Sequence, residues 1–139
     1  MQGGTMLAIL RIVSGLLFLQ HGTLKFLSFP SGVMAGAAAP MVGSGPAFAS
    51  LGAYAGVVEL VCGLLIAIGL FTRAAAFIAS GTMAVAYWFV HFSVASPFPI
   101  GNGGELAIMY CFVFLFLVFA GSGPLSVDAV RAGRNPPRP

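Results

Sequence analysis

The chain has 139 residues, of which 59% are hydrophobic and 6% charged, with a formal net charge of +3. Soluble domains carry about 25% charged residues and disordered chains are poor in apolar ones, so the composition excludes both. It describes an integral membrane protein, and the basic residues are too few and scattered for a phosphate-tracking nucleic-acid surface.

A bilayer-spanning helix needs about 20 mostly apolar residues. Four segments near that length follow in chain order, at about Thr5–Ser28, Leu51–Phe71, Ala74–Ala95 and Gly104–Gly121. They predict an all-α, four-helix transmembrane bundle over residues 1–128. In the first segment Arg11 interrupts the apolar run and no A-x-A-like cleavage site follows promptly, so it reads as a retained helix and not a cleaved signal. The stretch Ser28–Pro46, rich in small residues, Pro and Gly, has room for a short interfacial helix. A tight turn at Thr72–Arg73 joins the second and third segments. Ser96–Gly104 joins the third and fourth, with Asn102 placed to cap the last helix. Residues 129–139 form a polar tail rich in Pro and Arg. Cys62 and Cys111 lie in apolar runs without ligand spacing and read as small apolar residues. His21 and His91 stand on different helices, and no metal-binding motif connects them.

Arg73, Arg131, Arg134 and Arg138 flank membrane ends, and with four spans the Arg73 turn and both termini share one side. The positive-inside rule makes that side cytoplasmic. Arg11 then falls in the cytoplasmic half of the first helix, where snorkelling to the interface is open to it.

At about 100° per residue, helix faces follow from the numbering. Arg11, Ser14, Gly15, Phe18, His21, Gly22 and Lys25 share one arc of the first helix. Gly52, Ala55, Gly56, Glu59, Cys62 and Gly63 share one of the second. Ser80, Ala84, Tyr87 and His91 align on the third, and Glu105, Met109, Phe112 and Phe116 on the fourth. Small residues let helix backbones approach closely, so the ionisable groups on those faces are expected to point into the bundle. His21, Lys25, Glu59, His91, Asn102 and Glu105 then make one polar constellation in its outer half, with Arg11 and Tyr87 as supporting candidates. Two readings stand beside each other. One is a buried ion-pair network that fixes helix register, with Lys25 paired to Glu59 or Glu105 and His91 capping a neighbour. The other is a site for a polar-headed lipophilic ligand, at which His and Glu exchange protons.

The stretch LRIVSGLLFLQHGTLK (Leu10–Lys25) resembles the N-terminal signature of the DoxX family of small bacterial membrane proteins. Glu59, Gly63, Gly69 and Arg73 resemble its second-helix pattern. NGGELAIMY (Asn102–Tyr110) and GSGPLSVD (Gly121–Asp128) resemble its fourth helix and C-terminal end. The resemblance implies a four-span bundle in the bacterial cytoplasmic (inner) membrane and an association with quinone- or thiol-linked redox systems. Relatives include a subunit of thiosulfate:quinone oxidoreductase. Arg11, His21, Lys25, Glu59, Asn102 and Glu105 match the family's polar positions. The expectation is therefore a membrane subunit that binds a quinone or quinol non-covalently and depends on a soluble or membrane redox partner for any catalysis. A non-catalytic scaffold for such a partner is the alternative, and a small proton-linked transporter a third. A second copy of the chain is a further candidate partner.

Overall fold

In hydrocarbon every backbone N–H and C=O must be satisfied within its own segment, so long apolar stretches without internal proline become helices. A computed structural model describes residues 2–27, 29 and 46–133. Its main helices are α1 (Gln2–Leu27), α2 (Pro46–Ile68), α3 (Thr72–Ala86) and α5 (Glu105–Ala120). A π-helical turn, Tyr87–His91, extends α3, and two short helices, α4 (Pro99–Asn102) and α6 (Val127–Arg131), precede and follow α5. Among the described residues β-structure is confined to an isolated bridge, Ser93–Ser96. Among the described residues three helices are long and apolar enough to cross a membrane: α1, α2, and α3 with its π turn. α5 is a shorter apolar helix of 16 residues. The predicted interfacial helix within Ser28–Pro46, and Arg134 and Arg138, lie outside the described residues.

Several boundaries differ from the sequence expectation, among them the start of α2 at Pro46 and not Leu51, and the end of the third helix at His91 and not Ala95. The turn between α2 and α3 falls before Thr72–Arg73, because Gly69 stops α2 in the left-handed region at φ 74°. The Leu70 N–H then reaches back to the Leu65 carbonyl at 2.9 Å and the Gly69 N–H to Ile66, the two bonds of a Schellman cap. At the other end, α6 runs through the expected start of the polar tail at residue 129, and Ala129 is buried.

α1 packs along α2, α3 packs along α5, and α2 joins the two pairs through α3. The α1–α2 seam is made by glycine. A Cβ on Gly15 would sit 2.6 Å from the Ala67 nitrogen, and one on Gly63 would sit 2.7 Å from the Leu19 nitrogen. Gly22 and Gly56 face the partner helix at similar range. The α3–α5 pair is filled differently, with Ala75, Ala76 and Ala79 on one side and Phe114 and Leu117 on the other. Phe18 and Ile66 bridge both pairs into one core. Cys62 lies in that core, and both cysteines are free thiols.

Candidate functional site

Close backbone approach at Gly22 and Gly56 carries Lys25 of α1 onto Glu59 of α2. The Lys25 Nζ donates to Glu59 Oε1 at 2.7 Å, with the two side chains 14% and 6% exposed. Glu59 Oε2 is buried and has no hydrogen-bond partner among the described residues. That is chemically unusual, because a carboxylate has about four acceptor sites and pays heavily for leaving them bare in an apolar interior. One turn before Lys25, the half-buried His21 meets the edge of Tyr110 at 5.9 Å between ring centroids and an interplanar angle of 88°. Tyr110 stacks on Phe114 at 5.5 Å and packs against Phe18 at 5.3 Å. His21, Lys25, Glu59 and Tyr110 thus form one cluster where α1, α2 and α5 meet. Its groups can offer a cation, an imidazole and a phenol, and one carboxylate oxygen that needs a donor.

The remaining predicted residues do not join it. Glu105 is exposed, together with Met109, Phe112 and Phe116 on the same face of α5. That face points away from the bundle, which corrects the expectation that Glu105 turns inward. His91 and Asn102 form a second, separate group, with His91 Nδ1 3.2 Å from the Asn102 carbonyl oxygen. Asn102 does not occupy the cap position of α5. Its amide donates to the Ser96 carbonyl, while its Oδ1 accepts from the Gly104 N–H at 2.8 Å. The Tyr87 ring lies against Gly104 and stacks edge-on with Trp88 at 5.3 Å. These three residues brace the connection between α3 and α5.

Arg11 departs furthest from expectation. It does not snorkel, for it is fully buried. Its Nε donates to the Ser122 carbonyl at 2.9 Å, and its Nη1 donates to Ile66 and Ala67 at 2.7 and 2.6 Å. Its Nη2 donates to the Leu125 carbonyl. Ile66 and Ala67 belong to the last turn of α2, whose carbonyls have no intrahelical partner and carry the negative end of the helix dipole. Gly69 is required above it, since a Cβ there would lie 2.8 Å from Arg11 Nη1 and 2.4 Å from Ser126.

Asp128 serves the opposite helix end in the same turn. Its Oδ1 and Oδ2 accept from the Phe71 and Thr72 N–H groups at 2.9 and 3.0 Å, at the start of α3. Burial alone would raise the Asp128 carboxyl. The Thr72 and Phe71 N–H groups and the Arg131 charge outweigh it and hold the group below the usual aspartate value.

Apolar helices of spanning length, closed around a buried ion pair and a buried arginine, define a small helical membrane protein. The chain belongs to the DoxX family, whose sequence pattern matches residues 6–92. It is also similar to an uncharacterised protein of Haemophilus influenzae, 47% identical over 127 residues, which cover 88% of this chain and 87% of that protein. No solved structure matches it significantly.

Proposed function

We propose that the protein is a small membrane subunit of a redox system that holds the polar head of a quinone-like molecule between His21, Lys25, Glu59 and Tyr110. The observation that carries this reading is the bare, buried Oε2 of Glu59. A quinol hydroxyl supplies the donor that oxygen lacks, and a quinone carbonyl accepts from Lys25 or His21. Membership of a family often associated with redox systems supports the substrate class. The redox equivalents then pass to a soluble or membrane partner. In this reading the chain crosses the inner membrane four times with both termini in the cytoplasm, α5 serving as the fourth span. Arg73 and Arg131, both exposed, mark the cytoplasmic end.

The test is binding of decylubiquinol, the reduced form that carries the hydroxyl donors, to the detergent-solubilised protein kept anaerobic. Glu59→Gln is expected to weaken it by about tenfold or more, the value of one charge-assisted hydrogen bond. The reading fails if the wild type does not bind, or if Glu59→Gln binds equally well.

A second reading draws on the Lys25–Glu59 pair itself, which ties α1 to α2. There the pair only fixes helix register, and the bundle is a scaffold for a redox partner. A stoichiometric partner that co-purifies equally with wild type, Glu59→Gln and His21→Ala, in the absence of quinone binding, selects it.

A further inference from the structure

The seams of this bundle are not equally closed. Glycines bring α1 and α2 into backbone contact, and α3 lies along α5. α1 meets α5 only lightly. Between them runs a groove of about 220 Å³, walled by Leu10, Val13 and Leu17 of α1 and by Leu106, Met109 and Val113 of α5. Tyr110 also lines it, with the same ring that meets His21.

We infer that this groove holds the apolar tail of the ligand whose head lies at Glu59, with Tyr110 as the residue that divides the two compartments. The inference rests on the head-group reading above and adds the class of ligand to it: a chain-bearing amphiphile that enters sideways from the bilayer. Three observations support it. The groove adjoins the His21–Glu59 cluster, because Tyr110 lines the one and touches His21 of the other. A tyrosine suits the junction, having an apolar ring body and a polar tip. Apart from Ser14 and Tyr110 the groove is lined by Leu, Val and Met side chains, so a small water-soluble ligand gains little there.

A tail that leaves lipid for the groove exchanges one apolar environment for another, so its gain is packing and not hydrophobic transfer. The effect expected is accordingly modest. Decylubiquinol should bind about three- to tenfold tighter than the same dimethoxy-methyl-hydroquinone head without a tail, both kept reduced and measured on the protein in nanodiscs. Val13→Trp and Met109→Trp fill the groove from opposite walls, at positions already half or more exposed. Each should abolish the preference for the decyl compound while leaving the tail-less head bound as before. The groove assignment is overturned if both quinols depend on Glu59 but the decyl compound is indifferent to both tryptophans, for then bulk lipid fills the groove. If neither compound responds to Glu59→Gln, the head-group reading itself fails, and the groove assignment with it.

Discussion

The two ends of the α1–α2 pair each bury a charge, and they treat it in opposite ways. Arg11 lies about ten residues, or roughly 15 Å of helix, from His21. Its guanidinium finds four backbone carbonyls, from α2 and from the segment after α5. Glu59, by contrast, spends one oxygen on Lys25 and leaves the other bare. A buried ion in which every nitrogen has a partner is a structural fastening. One with an unused acceptor carries a cost that a ligand can relieve. Burial of a charged residue alone thus does not mark a site, and the proposed one rests on the incomplete pairing of Glu59.

The comparison breaks most readily at Arg11. Arg11→Gln strands several buried carbonyls and should cost about 3–5 kcal/mol, read as a large fall in melting temperature in detergent. Arg11→Lys should rescue little, since a single ammonium cannot span the same acceptors in a planar fork. A mild effect would make Arg11 dispensable and remove one side of the contrast.

Next in size is the glycine seam that brings Glu59 to Lys25. Gly15→Ala places a methyl against backbone and should cost about 1–3 kcal/mol by thermal unfolding. Gly81→Ala is the control, because nothing lies within 4 Å of its Cβ position. It should be neutral or stabilise α3 by up to about 1 kcal/mol. Equal losses at the two positions would show that the seam is not specifically close.

At the Glu59 end, the double variant Lys25→Met with Glu59→Met should leave stability within about 1 kcal/mol of wild type or raise it, since a buried ion pair is often replaced by apolar side chains without loss. Quinone binding should nevertheless disappear. A collapse of stability as large as that of Arg11→Gln would mean that both ends are fastenings.

The smallest effect is expected at Asp128. Its carboxyl is held below the usual aspartate value in the folded protein, so its contribution is complete above that usual value. It is lost as the pH falls through the depressed one. Asp128→Asn should remove that acid limb from a stability–pH profile and cost under about 1 kcal/mol near neutrality. An unchanged acid limb would show that Asp128 plays no part in it.

How much of this was legible depended on contrast within each helix. On α1, Arg11, Ser14, Gly15, Phe18 and Gly22 stand out against leucine and isoleucine, and the predicted arc is the buried one. The same holds for Gly56, Glu59, Cys62 and Gly63 on α2. α5 offers no such contrast, because a helix between lipid and protein is apolar all round. Its single charge, Glu105, therefore defined a face, and the wrong one. The buried stripe is Ala107, Tyr110, Phe114 and Leu117. Spacings of three and four residues were available as a signal, yet the neighbouring phenylalanines match them equally well, so Tyr110 was missed. The partners of Arg11 were beyond reach for another reason. They are main-chain carbonyls, and any residue type could have supplied them.

The Arg11 fastening also sets an order of assembly. Two of its acceptors, Ile66 and Ala67, are present once α2 has followed α1 into the bilayer. Ser122 and Leu125 arrive only after α5 has been synthesised. Until the segment after α5 is made, only the Ile66 and Ala67 carbonyls among these four are available to the guanidinium. Closure of this end thus reports that all the helices have arrived, and a chain stopped at Gly121 would carry an unfinished cation in its first span.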